Sequence, residues 1–284
     1  MTKTPHIFTG AGNNFVVFDG REGGMDEYRQ PERIQALCRE YRTDGLMILT
    51  EAPGQDFGME FYNPDGSGGM MCGNGGRCIV AFADYLGLKS ASEDGTWHFL
   101  APDGEHTATI LDRAHTSKPS LRDPSHPDGW APPSYVAEGG CWTVRLKMID
   151  VKGISKAKNG YFLNTGTRHY VEFRDNVDAI DIEPEAKPIR WADEFQPDGT
   201  NVNFVEKTPD GLKVRTFEKG VEGETLACGT GLTASAIAAY VKGLAQSPVR
   251  LQCRRGDWLE VEFTPSGDGF KDVFLTGPAE LIEK

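Results

Sequence analysis

The feature that most constrains this chain is that it repeats itself. MCGNGGRCIVAFADYLGL (Met71–Leu88) aligns without gaps on ACGTGLTASAIAAYVKGL (Ala227–Leu244), matching Cys72 with Cys228, Gly73 with Gly229 and Gly75 with Gly231. Ala83 with Ala239, Gly87 with Gly243 and Leu88 with Leu244 extend the match, and the offset, 228 minus 72, is 156 residues. The same offset sets Thr9-Gly10 on Thr165-Gly166 and Asp19 on Asp175. With a slip of two, TDGLMILTE (Thr43–Glu51) resembles PDGTNVNFVE (Pro197–Glu206), and Gly66 falls on Gly220. Four elements recur in one order, which predicts two similar halves.

Each half pairs short strand patterns with one apolar helix. The runs Ile79–Leu88 and Leu232–Leu244 are apolar all round, so each predicts a helix buried on every side and wrapped by strands. NFVVF, LMILT, MEFYN, WHFL, TATIL, WTVRLKMIDV, YFLNT, HYVEF, NFVE, LKVRTF, WLEVEF and DVFLTG are short and rich in β-branched or aromatic residues, as strands are. An amphipathic helix is expected at Pro31–Tyr41. The fold class is therefore α+β: two pseudo-symmetric halves, each a mixed or antiparallel barrel-like sheet around a central helix, with a cleft between them. The expected boundaries are 1–149, 150–270 and a final strand at 271–284. The Pro-, Ser- and Asp-rich stretch 112–140 reads as a surface insertion.

Composition narrows the partners. Of 284 residues 34 are glycine, against a usual ~7 %, so tight turns and close backbone approaches are many. A formal net charge of -12 disfavours nucleic acid and anionic membranes, which need clustered Lys and Arg. No apolar run approaches ~18 residues, which predicts a cytoplasmic chain with no membrane partner. Oligomeric state is not read from the residues, a homodimer being the commonest assembly. Six cysteines are too few and scattered for a secreted disulfide framework, and neither they nor the histidines fall at metal-ligand spacing, so no metal is expected.

Cys72 and Cys228 each open a buried helix, and the positive end of a helix dipole lowers a thiol's pKa. If the two mouths face one another, two acid-base groups meet on opposite faces of one carbon. Stereoinversion needs that arrangement: one group removes a proton and the other returns one from the far side. Backbone N–H groups of Gly73-Asn74 and Gly229-Thr230 would hold the reacting carboxylate and the charge it takes up. Cys38, Cys78, Cys141 and Cys253 lack this context and read as structural. A Cys72–Cys228 redox disulfide, and a hydrolase with Cys228 as nucleophile and His169 as base, are the rival readings, the second leaving the duplicated cysteine unexplained. A pyridoxal enzyme is disfavoured, since no lysine stands out.

The motifs GAGNNF, FYNPDGS, MCGNGGRC, FEKG followed by GETLACGTG, and LTGPAE together resemble the pyridoxal-phosphate-independent diaminopimelate epimerases, within the group that includes proline racemase. The resemblance implies two pseudo-symmetric α/β halves with the last strand, near 272–282, returning to the first. It implies Cys72 and Cys228 as the two bases, a substrate cleft lined by Asn13, Asn63, Asn201 and Glu218, and an LL- to meso-diaminopimelate reaction that uses no cofactor. The chain departs from the family where it has Thr167-Arg168-His169 in place of Asn-Pro-His, Glu218-Lys219-Gly220 in place of Glu-Arg-Gly, and Asn14 in place of Asp. The first two fall where the far end of the substrate is read, and Lys is a point charge where Arg is a bidentate fork. The same fold acting on another amino acid, or binding one without turnover, are the alternatives. Asn13, Asn63 and Asn201 also suit turns or caps, Glu218 and Lys219 an ordinary solvated pair, and Arg77 the solvated flank of its helix.

Overall fold

The structure, a computed structural model, describes residues 3–114 and 140–283. In chain order its strands and α-helices begin β1 (His6–Gly10), β2 (Asn13–Asp19), α1 (Pro31–Tyr41), β3 (Gly45–Thr50), β4 (Phe57–Tyr62), α2 (Gly73–Tyr85), β5 (Thr96–Ala101), β6 (Gly104–Ala114) and β7 (Cys141–Lys147). They continue β8 (Ile154–Ala157), β9 (Gly160–Asn164), β10 (Arg168–Phe173), α3 (Ile182–Arg190), β11 (Asn201–Thr208), β12 (Gly211–Glu218), β13 (Gly223–Thr225), α4 (Gly229–Val241), β14 (Val249–Gln252), β15 (Trp258–Ser266) and β16 (Gly269–Glu283). Two compact units result: one takes the chain up to Arg145 together with the stretch from Pro278, the other Leu146–Gly277.

In the first unit β1 to β7 pair in sequence order, and the end of β16 lies between β7 and β1, closing an eight-stranded barrel. Its alternation is antiparallel (β1–β2), parallel (β2–β3), antiparallel (β3–β4), parallel (β4–β5), antiparallel (β5–β6). A parallel step needs a crossover, and α1 and α2 supply the two. The second unit repeats the alternation over β9, β10, β11, β12, β14 and β15, with α3 and α4 as its crossovers. Both units therefore carry one topology, as the repeated motifs require.

The two crossovers of each unit differ in kind. Helix α1 starts with Pro31 at its first position, where the missing N–H costs nothing, and buries only Ile34, Leu37 and Cys38, against Val16, Phe18, Leu46 and Ile48. Helix α3 likewise packs Ile182 and Ala186 on Tyr170, Val202, Phe204 and Phe217. Helix α2 is buried from Gly73 to Ala83, where Phe82 meets Phe8 and His6, and α4 is buried almost throughout. Each starts one residue after its cysteine and runs 13 residues. Each then ends at a glycine with positive φ, Gly87 or Gly243, followed by a leucine N–H that reaches back to Ala83 or Ala239.

Four strands escape the sequence patterns: β1, of five residues, and β8, β13 and β14, of four or fewer. The expected insertion needs a correction at its start, because β6 continues through 112–114 by pairing rather than by apolar pattern; 115–139 lies outside the described residues. Arg77 is corrected outright. It is fully buried rather than solvating a flank.

Candidate active site

In the first unit Cys72 is the N-cap of α2. Its backbone is extended (φ -108°, ψ 154°), and its sulfur accepts the Gly75 N–H at 3.2 Å, doing the work usually given to a Ser or Asp oxygen. The residue is exposed. Asn74, in the first turn of α2, donates from Nδ2 to Asn13 Oδ1 at 2.5 Å. Arg77 sets that orientation: its guanidinium donates to Asn74 Oδ1 (2.9 Å), to Gly73 O (3.1 Å) and to Pro278 O (3.3 Å), so Asn74 must turn its oxygen inward. Asn14 is held along the backbone, its N–H donating to Asp44 Oδ2 at 2.8 Å. Asn63 spends its amide inside its own turn, on Ser67 Oγ at 3.0 Å and Gly68 O at 3.5 Å.

In the second unit Cys228 holds the same position ahead of α4 in different surroundings. It closes no cap bond, its sulfur lies 3.4 Å from Thr230 Oγ1, and it is buried. Burial pushes its thiol well above the usual range, and the Glu218 carboxylate beside it pushes the same way; the Thr230 hydroxyl and Gly231 amide pull down and lose. This corrects the expectation that the helix end lowers the thiol's pKa at Cys228. At Cys228 desolvation and a neighbouring anion outweigh the dipole.

Behind Cys228 stands His169. It is fully buried, and desolvation lowers its pKa to about 3, so the ring is neutral. Nε2 sits 2.9 Å from both Thr167 Oγ1 and Thr230 Oγ1, and Nδ1 lies 3.0 Å from Asn203 Nδ2. Thr230 therefore stands between the imidazole and the sulfur, which removes His169 as a hydrolase-type base on Cys228. Asn201 gathers the departures from the family: Oδ1 accepts the Lys219 N–H at 2.7 Å, and Nδ2 donates to Arg168 O at 2.9 Å and Thr167 Oγ1 at 3.3 Å. The Arg168 guanidinium is taken by Asp198 at 3.0 Å, and Lys219 is exposed.

Each unit thus brings its own predicted residues together: Asn13, Cys72, Gly73 and Asn74 around one helix mouth, and Thr167, His169, Asn201, Glu218, Cys228, Gly229 and Thr230 around the other. Asn63 stays in its turn. Sequence patterns missed Asn203, Thr216 and the burial of Arg77, although Asn201 and Asn203, two apart in a strand, necessarily share a face. None of the six cysteines is in a disulfide, and among the described residues no group of His, Cys, Asp and Glu could hold a metal.

A profile of the family described as diaminopimelate epimerase matches residues 6–120 and 161–282. The diaminopimelate epimerase of Flavobacterium psychrophilum is 36% identical over 279 residues, covering 97% of this chain and 96% of that protein. The chain belongs to the diaminopimelate epimerase family. The diaminopimelate epimerase of Chlorobaculum tepidum is 37% identical over 283 residues, covering 96% and 97%. Solved structures extend the fold further. A PhzF-family phenazine biosynthesis protein of Bacillus anthracis superposes with a TM-score of 0.68 at 12% identity over 100% of this chain and 98% of that one. A hydroxyproline epimerase of Agrobacterium vitis, solved with trans-4-hydroxy-L-proline, superposes with a TM-score of 0.59 at 16% identity over 100% and 91%. Membership in the diaminopimelate epimerase family makes the chain an isomerase.

Proposed function

We propose that this chain is a cofactor-independent epimerase that inverts one α-carbon of diaminopimelate, with Cys72 as the resting base and Cys228 as the resting acid. The observation that supports the assignment is the inequality of the two N-caps: an exposed sulfur that accepts a helix N–H, and a buried thiol held protonated beside Glu218. Cys72 Sγ takes the α-proton, its electron pair passes into the Cα–carboxylate system, and Cys228 delivers its proton to the opposite face of Cα. The enzyme is left with a Cys72 thiol and a Cys228 thiolate, which run the reverse reaction. The N–H groups of Gly73-Asn74 and Gly229-Thr230 bind the carboxylate where charge accumulates, so they hold the transition state more tightly than the substrate.

The substrate is proposed from the family, and the reaction would serve lysine and cell-wall synthesis in the cytoplasm, where both thiols stay reduced. A different amino acid is the second reading, favoured by one observation: Arg168 pairs with Asp198 and so does not replace the bidentate fork that the family has where this chain has the exposed point charge of Lys219. The test is deuterium uptake at Cα in D2O, with LL-diaminopimelate beside single amino acids. Exchange with inversion on diaminopimelate alone is expected, and Cys72→Ala and Cys228→Ala should each lower it by about 10²–10⁴-fold, the usual worth of a positioned acid or base. Turnover that survives Cys72→Ala would falsify the two-base assignment.

A further inference from the structure

The hydrogen-bond chain behind Cys228 begins at Asn203, a fully buried residue of β11 whose amide atoms are all committed. Thr216 Oγ1 donates to Oδ1 at 3.0 Å, and Nδ2 donates to the Tyr170 carbonyl at 2.9 Å. A carbonyl only accepts, so the amide has one orientation, and it is Nδ2 that faces His169 Nδ1 at 3.0 Å. A ring nitrogen that accepts carries no proton. Neutral His169 therefore holds its proton on Nε2 and shares it between the hydroxyl oxygens of Thr167 and Thr230.

The hydroxyl protons follow from this. Thr167 Oγ1 accepts from His169 and from Asn201 Nδ2, which fills its lone pairs, so its own proton turns to Thr230 Oγ1 at 3.1 Å. Thr230 Oγ1 then accepts twice, and the acceptor remaining for its proton is Cys228 Sγ at 3.4 Å. Gly231 belongs to the same device, because a Cβ there would sit 2.5 Å from Asn203 Oδ1.

We propose that Asn203 is a positioning residue for the epimerisation: it selects the Nε2–H tautomer of His169 and so aims the Thr230 hydroxyl proton at Cys228 Sγ. The inference rests on reading Cys228 as the resting acid. A hydrogen bond aimed at the sulfur matters most after Cys228 has given up its proton, when it stabilises the thiolate that must act as base in the reverse direction.

The test replaces Asn203→Asp, nearly isosteric but with a carboxylate that can only accept. It still receives the Thr216 hydroxyl, but it draws a proton onto His169 Nδ1, which turns Nε2 into an acceptor and pulls the Thr230 proton away from sulfur. Three readouts apply: the ¹⁵N shifts of His169, assigned by difference against His169→Gln; kcat and KM; and the rate at which iodoacetamide alkylates Cys228 at alkaline pH. Wild-type protein is expected to show Nε2–H. Asn203→Asp is expected to show Nδ1–H, a kcat lower by about 10- to 100-fold with KM nearly unchanged, and slower Cys228 alkylation, the scale of losing one hydrogen bond to a charged group. Nδ1–H or imidazolium in the wild type overturns the proposal whether or not the variant folds, as does a switched tautomer with kcat and alkylation unchanged. If the wild type carries Nε2–H and Asn203→Asp slows alkylation while no amino acid is epimerised, the functional reading falls and the relay stands.

Discussion

Cys72 and Cys228 cap corresponding helices, yet one sulfur is exposed and the other buried against Glu218. Only the thiolate is alkylated, so iodoacetamide near neutral pH should label Cys72 at least about tenfold faster than Cys228, read by peptide mass spectrometry. Equal rates would remove the acid–base asymmetry. His169 supports a second prediction. Its native pKa lies near 3, below the ordinary imidazole value, so between the two the unfolded chain binds a proton that the native chain refuses. Stability must then rise with pH across that window and fall on acidification through it. Urea midpoints for wild type and His169→Gln should converge as pH drops from 7 to 5, the wild type losing more. The cysteine pair was legible in the sequence because its spacing and glycines are local. The protonation of Cys228 was not, because burial and Glu218, contributed by β12, are tertiary facts that outweigh a dipole inferred from α4 alone.

At the scale of elements, the starts of α2 and α4 could be read to a residue because the Cys-Gly-x-Gly mouths are duplicated, while their apolar runs overshoot the ends at Tyr85 and Val241 by three residues; α1 could be read because its period and Pro31 agree. β8 (ISKA), β13 (GET) and β14 (VRLQ) carry too little pattern to separate from loop, and pairing alone makes them strands. The glycines of the two helix mouths answer to different neighbours. A Cβ at Gly75 would lie 3.3 Å from its own Cys72 Sγ, whereas one at Gly231 would lie 2.5 Å from Asn203 Oδ1. Gly231→Ala should therefore cost about 1–3 kcal/mol of stability, the range for overpacking, measured by denaturant unfolding, and should lower kcat by displacing the Asn203 relay. Asn203 itself was hidden in the sequence by ordinariness, one asparagine in a strand, and only its fully paired amide sets it apart.

Across the whole molecule the repeat of 156 residues was sufficient to predict two units, and their shared alternation of parallel and antiparallel pairs is its physical basis. The last strand reaches into the first unit, where the stretch from Pro278 lies between β7 and β1 and accepts a hydrogen bond from Arg77. A chain that stops at Gly277 would leave those edges unpaired and the buried guanidinium short of an acceptor, a combination that costs several kcal/mol. Such a truncation should lose native near-ultraviolet circular dichroism and bind a hydrophobic dye.

That same strand decides when the protein can be finished. The ribosome releases the residues of the first barrel early, but the piece that closes it follows the whole second unit in the chain, so the first half must wait, unsealed at one seam, until the second has been made. Translation order and folding order are therefore opposed in this chain, and its N-terminal half carries unpaired strand edges for as long as the C-terminal half takes to make.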